Sequence, residues 1–266
     1  MPKMPELISS LGRILLLLAA AYAFTAVAVH FLSFAMLFPR PPVKYEFTSD
    51  YIRLTAPDGV QLVARHWPNP AAKYTLLYLH GNYEDLGGLA EYMPQFVNAG
   101  YAVFAFDYRR YGRSEGVPTE ANTCADALLA YDYLRTRLGI PDNRIVIFGY
   151  SVGGGPGVEV ARQRPAAGLV LQSAFVSAYR VMTNIPLFPG DKFRNLAKAP
   201  QLKLPVLVIH GTGDDTIPSW HGRKLYDAIT APKVKFFVEG GPHSGLADFA
   251  GPRYWEELRK FTDSLR

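Results

Sequence analysis

The chain has 266 residues, 49% hydrophobic and 19% charged, with a formal net charge of +5 and a single cysteine, Cys124. The hydrophobic fraction excludes a disordered chain, the lone cysteine excludes an intramolecular disulfide framework or a multi-cysteine metal site, and the scattered glycine and proline exclude collagen-like and low-complexity classes. Lys3, Arg13 and Arg40 oppose only Glu6 in the first 40 residues, so the remainder carries about +3 with both signs interspersed, which argues against nucleic acid as a partner.

The first element is apolar. Ile14 to Phe38 holds no formally charged residue, and a spanning helix needs about 20 mostly apolar residues because the hydrocarbon core is about 30 Å thick. Pro39, Pro41 and Pro42 then stop a helix and open an extended linker. Residues 1–40 therefore read as a signal anchor with one span, and residues 41–266 as a catalytic domain, expected on the non-cytoplasmic side. A cleaved secretory peptide is the competing reading, with Ala21-Tyr22-Ala23 or Ala26-Val27-Ala28 as cleavage sites; the apolar run continues well past both. Basic residues flank both ends of the run, so charge alone does not orient it.

Beyond the linker, strands and helices alternate. Tyr51–Leu54 and Val60–His66 read as an antiparallel hairpin around Pro57-Asp58-Gly59. Short continuous apolar runs follow at Tyr74–Leu79, Ala102–Phe106, Arg144–Phe148, Gly168–Leu171, Val206–Ile209 and Val234–Val238, as expected for strands buried on both faces. Helical patterns lie between them at Leu86–Ala99, Glu120–Leu138, Val152–Gln163 and Ser219–Ile229, with a last one at Tyr254–Leu265. The alternation predicts an α/β fold, a mainly parallel sheet with helices on both faces.

Ligands bind beyond the carboxyl ends of the strands in such sheets, and four of these ends carry chemistry. Gly149-Tyr150-Ser151-Val152-Gly153 fits Gly-x-Ser-x-Gly between a predicted strand and a predicted helix. A sharp turn there lifts the hydroxyl clear of the sheet, and the flanking glycines relieve the crowding. Serine needs a base. Of the six histidines, His30 lies in the apolar run, His66 reads as an edge residue, His80 and His210 begin His-Gly turns that brace loops, and His221 lies early in a helix. His243 sits in a glycine- and proline-rich loop after the last strand, free to hang over the Ser151 turn. Asp214 or its neighbour Asp215 would hold the imidazole, with Asp214 favoured because it opens Asp-x-x-Ile-Pro. Asp107 also ends a strand and is expected to brace its loop through Arg109 or Arg113. The oxyanion donors expected are the backbone N–H groups of Val152 and Asn82, with Tyr83 the alternative to Asn82 and a candidate substrate contact.

These residues resemble the α/β-hydrolase fold serine hydrolases. Four motifs carry the likeness in order: His80-Gly81-Asn82, the 107–116 loop, Gly149–Gly154, and His210–Pro218 followed by His243. The chain looks most like the membrane-anchored α/β-hydrolase domain-containing subgroup that includes protein depalmitoylases, with some likeness to prolyl-oligopeptidase-type and dienelactone-type hydrolases. The resemblance implies an eight-stranded, mostly parallel sheet with its second strand antiparallel, a Ser151, Asp214, His243 triad and no cofactor. The oxyanion loop departs from the lipase pattern, reading His-Gly-Asn and not His-Gly-Gly-Gly.

The segment 175–204 falls where such folds insert a cap, and about 30 residues suffice only for a small one. Phe175, Tyr179 and Met182, with Ile185, Leu187 and Phe188 beyond them, read either as core packing or as the wall of an apolar acyl pocket. Lys192, Arg194 and Lys198 follow, as a solvated face or as contacts for anionic headgroups. The reading that results is a serine hydrolase, carboxylesterase- or thioesterase-like, acting on a small-molecule or lipid-like acyl substrate and held to a membrane by its first helix. A peptidase or acyltransferase with the same triad, or a non-catalytic binding protein on this fold, are the alternatives.

Overall fold

The computed structural model describes residues 4–265, so Lys3 lies outside the described residues. An N-terminal helix, α1 (Met4–Leu37), precedes an extended segment, and the hairpin strands β1 (Tyr51–Thr55) and β2 (Gln61–Trp67) follow. Then come β3 (Thr75–Leu79), α2 (Leu86–Asn98), β4 (Ala102–Phe106), α3 (Glu120–Thr136), β5 (Ile145–Tyr150), α4 (Gly154–Gln163) and β6 (Gly168–Gln172). Two short helices, α5 (Arg180–Thr183) and α6 (Asn195–Lys198), occupy the cap segment. The chain closes with β7 (Val206–Gly211), α7 (Trp220–Ala228), β8 (Lys233–Val238), α8 (Leu246–Ala250) and α9 (Pro252–Asp263).

The eight strands form one sheet in the order β1-β2-β4-β3-β5-β6-β7-β8. β2 pairs antiparallel with both β1 and β4, and every pairing from β4 through β8 is parallel. This is the topology that the resemblance implies. Alternation along the strands divides the core between the two faces. Leu77, Phe104 and Ile147 pack with Leu134 of α3 and Val158 of α4, while Tyr78, Val103 and Phe148 pack with Phe96 of α2 and Leu258 of α9. Helix starts follow their capping residues: Asp85 accepts from the Gly88 N–H at α2, and Thr119 and Asn122 form a reciprocal capping box at α3. Pro156 falls within the first turn of α4, where no intrahelical donor is needed.

Three features differ from the sequence reading. The helices α5, α6 and α8 are four or five residues long, too short for a periodic pattern to reveal. Arg109 forks between Asp58 and Asp126, tying the β1–β2 turn to α3, and Arg113 pairs with Glu46; neither guanidinium reaches Asp107. His66 is half-buried in β2 opposite Phe104, one strand in from the edge.

α1 is long and apolar enough to cross a membrane. Its two halves differ in surroundings. Leu11 to Thr25 are exposed, whereas Ala26, Val29, Ser33, Phe34 and Leu37 turn one face to the domain. Leu37 and Phe38 belong to the buried core, so the end of the first helix is part of the packed domain and not a detached tether.

Candidate active site

β5 delivers Ser151. The turn from β5 into α4 holds Ser151 at φ +54°, a left-handed conformation costly for a residue with a Cβ. The flanking glycines allow it: a Cβ on Gly153 would stand 2.0 Å from the Leu79 carbonyl oxygen, and one on Gly149 would stand 2.7 Å from the Gly153 carbonyl oxygen. Since β3 and β5 are neighbours and Leu79 pairs with Gly149, the strand that precedes the His80 loop packs directly under the serine turn.

His243 reaches over this turn from the loop between β8 and α8. Its Nε2 lies 3.1 Å from Ser151 Oγ, and its Nδ1 lies 2.7 Å from Asp214 Oδ2. With Nδ1 protonated, the ring donates to Asp214 and accepts from the serine hydroxyl, the tautomer a general base requires. Tyr150 helps to place the ring: its own ring tilts against His243 at 5.5 Å, and its hydroxyl donates to the His243 carbonyl.

Asp214 stands at the end of β7, and its second oxygen accepts the N–H groups of Thr216 and Ile217. Burial pushes its pKa up, but hydrogen bonds from His210 and His243, the His243 charge and the Ile217 N–H outweigh it, holding the carboxyl well below the usual carboxylate range. Asp215, the sequence alternative, is exposed and accepts from the Thr216 hydroxyl instead.

His80, His210 and His221 make loop contacts, the role expected for the first two. His80 is fully buried, its Nδ1 2.7 Å from the Gly81 carbonyl and its ring 4.1 Å from that of Tyr108. Burial lowers its pKa to about 4, so it stays neutral. His210 Nε2 donates to the Ile217 carbonyl and lies 3.3 Å from Asp214. His221 is buried and accepts the Val176 N–H.

A cavity of about 340 Å³ opens beside Ser151, with Asn82, Val152, Phe175, Tyr179 and Met182 in its wall. Tyr83 is not part of that wall: it is 70% exposed. The turn that follows β3 is pinned by the Gly81 N–H donating to the Glu84 carboxylate, and it points Asn82 inward and Tyr83 outward. The opposite wall was hidden from sequence reasoning. Val29, Leu32 and Met36 of α1 line it, and the Asn82 side-chain amide donates to the Met36 carbonyl at 2.8 Å.

Two carboxyls nearby, Asp107 buried and Glu84 half-buried, also escaped the sequence reading in part. Asp107 accepts the Leu86 N–H at 2.9 Å and the Tyr45 hydroxyl at 2.5 Å, in place of the arginine partner expected. Burial pushes its pKa up to about 7 against those donors. Glu84 is likewise pushed up to about 7 by burial, opposed by the Gly81 N–H and by His243. Glu84 stands three residues after Gly81, a spacing that signals a side chain folding back on a turn, and this was the available clue.

Comparison with known proteins places these features in context. A family model described as serine aminopeptidase, S33, matches residues 70–189. Alpha/beta hydrolase domain-containing protein aho-3 of Caenorhabditis elegans is 36% identical over 204 residues, covering 74% of this chain and 59% of the relative. Human alpha/beta hydrolase domain-containing protein 17B is 36% identical over 203 residues, covering 73% of this chain and 67% of the relative. The chain thus spans between 59% and 67% of the length of these two relatives. Among solved structures, an esterase of Pyrococcus furiosus superposes with a TM-score of 0.72 at 18% identity, covering 86% of this chain and 97% of that one. An esterase of Rhodococcus superposes at 0.64 with 19% identity, covering 82% and 100% respectively. At such identities the structural likeness speaks to the fold alone.

Proposed function

The chain belongs to the α/β-hydrolase domain-containing proteins, and from that premise we propose that it is a serine hydrolase cleaving an acyl ester or thioester through an acyl-enzyme on Ser151. The observation that carries the reading is the continuous hydrogen-bonded line from Ser151 Oγ through His243 to Asp214, opening on an apolar cavity.

In the reaction proposed, His243 Nε2 takes the Ser151 proton as Oγ attacks the acyl carbonyl carbon. Asp214 holds the ring and stabilises the imidazolium without being protonated itself. The Val152 and Asn82 backbone N–H groups receive the oxyanion. The imidazolium then protonates the departing alcohol or thiol, leaving the acyl group on Ser151. Water, deprotonated by His243, attacks that ester in turn and releases the acid.

The cavity favours an acyl group over a free amino terminus. None of the residues that line it is charged, and an aminopeptidase needs an acidic partner for the substrate ammonium. The α1 helix is proposed as a single membrane anchor.

The test is labelling with a fluorophosphonate probe, followed by a panel of p-nitrophenyl esters, acyl thioesters and amino-acid amides of graded acyl length. The reading expects labelling at Ser151, loss of labelling and a fall in turnover of several orders of magnitude in Ser151→Ala, and activity on esters or thioesters above that on amides. An unlabelled Ser151, or an alanine variant as active as the parent, would remove it.

A further inference from the structure

The cap loop reaches α1 at an unexpected depth. The Tyr22 hydroxyl donates to the Leu187 carbonyl at 3.0 Å, and the Tyr22 ring stacks on Phe188 at 5.8 Å. Tyr22 lies 15 residues before Leu37, about 22 Å along a helix that rises 1.5 Å per residue. From Ser9 to Tyr22 the helix covers only about 20 Å, less than the ~30 Å of hydrocarbon a span must cross. A span beginning at Ser9 ends near Ala28, and one beginning at Ile14 ends near Ser33. Tyr22 then lies roughly 9–12 Å inside the nearer boundary. Tilt lengthens the stretch required and deepens it further, whereas an earlier start would put Arg13 nearer the centre of the hydrocarbon.

We propose that the cap loop 181–190 is a second membrane-inserted element that enters the acyl-chain region of the bilayer beside α1. The occupant of this surface is lipid. The chemistry of the loop agrees. Residues 181–190 include no charged side chain, and Met182, Ile185 and Leu187 are 69%, 59% and 47% exposed. A contiguous apolar patch of this kind marks an interaction surface.

Three carbonyls of the loop find side-chain partners within the protein. In lipid, polar backbone groups must be satisfied internally. Arg180 donates to the Asn184 carbonyl, the Thr183 hydroxyl to that of Ile185, and Tyr22 to that of Leu187. Pro186 and Pro189 bring no N–H donor. Arg180 itself lies over the Trp220 ring, an amphipathic pair suited to the headgroup level.

The consequence for catalysis rests on the hydrolase reading above. Leu32 and Met36 of α1 and Met182 of the cap share the Ser151 cavity, so the cavity lies between α1 and the cap loop. An acyl chain resident in the bilayer would reach Ser151 sideways, without first leaving the lipid.

The experiment uses the full chain, with Cys124→Ser and a single labelled cysteine, in phosphatidylcholine vesicles with or without lipid carrying a mid-chain spin label. An environment-sensitive fluorophore is placed at Ile185→Cys, at Phe24→Cys in α1, or at Asn143→Cys at the opposite end of the sheet. Quenching at 185 comparable with that at 24, and absent at 143, is the expected result. A probe at 185 as unquenched as that at 143 overturns insertion of the cap, and loss of quenching at 24 as well overturns it together with the anchor.

Ile185→Asp/Leu187→Asp supplies the functional arm. Hydrolysis of a long-chain ester held in vesicles should fall roughly tenfold or more, with a soluble short-chain ester hydrolysed as before. Unchanged hydrolysis of the vesicle-held ester contradicts the proposal. Activity of the parent on the short-chain ester reports separately on the Ser151 reading, because it requires no membrane.

Discussion

The Asn82 side-chain amide donates to the carbonyl of Met36 across 2.8 Å. One hydrogen bond thereby joins the loop after β3, which bears a proposed oxyanion donor, to the last turn of α1. It supplies a partner for a carbonyl that the end of a helix leaves unsatisfied.

Asn82→Ala keeps the backbone N–H but removes that tie. Turnover of a short soluble ester should fall roughly 10–100-fold through misplacement of the donor, with KM little changed. Steady-state kinetics measure this directly. An unchanged kcat would show that the loop holds its position without α1.

Gly153→Ala tests the packing beneath the serine. The added Cβ meets a main-chain oxygen, that of Leu79, and not the end of a flexible side chain. The β3–β5 pair cannot yield without breaking its ladder, so a loss of at least about 2 kcal/mol is expected. Denaturant unfolding of the parent and the variant measures it. A loss within ordinary surface-substitution range would mean that the turn can shift.

The carboxyls of Asp107, Glu84 and Asp214 give stability a definite dependence on pH. Asp107 sits near 7 in the folded chain because of burial, against about 3.9 in an unfolded one. Between those values the folded state holds a proton that the unfolded state has released, so stability declines as pH rises from about 5 through 7. Glu84, also near 7, acts with the same sign. Asp214 acts oppositely: its carboxyl is held low, so its contribution is present above the ordinary carboxylate pKa and is lost only as pH falls below it. Asp107→Asn should keep the Leu86 contact and remove about half of the decline between pH 5 and 8. Thermal unfolding across that range checks it, and an undiminished slope would contradict the assignment.

Much of this was legible in the chain because each strand end announces itself locally. Gly149 and Gly153 mark the Ser151 turn, Gly240 to Pro242 mark the loop of His243, and Asp-x-x-Ile-Pro marks Asp214. Ile217 of that last pattern proves to be a backbone donor to the Asp214 carboxylate. The docking of α1 was not legible. In a helix apolar on every side, the face formed by Ala26, Val29, Ser33 and Leu37 cannot be told from the rest by periodicity. The partner of Asp107 was missed for a different reason. Three arginines, Arg109, Arg110 and Arg113, lie within six residues of it, yet Arg109 and Arg113 turn to carboxylates elsewhere, and its actual partner, Tyr45, comes from the linker. Tyr83 and Asn82 are adjacent in sequence, and only the turn closed by Glu84 decides which of them faces the cavity.

The central claim is an acyl group carried on Ser151, and trapping it is the most direct measurement. The full chain is mixed with a p-nitrophenyl acyl ester, quenched in acid during turnover, and digested for mass spectrometry. The account predicts a peptide containing Ser151 heavier by the acyl group, with no such peptide from Ser151→Ala. Release of p-nitrophenol at the parent rate by that variant, or acyl mass on a different residue, would contradict it.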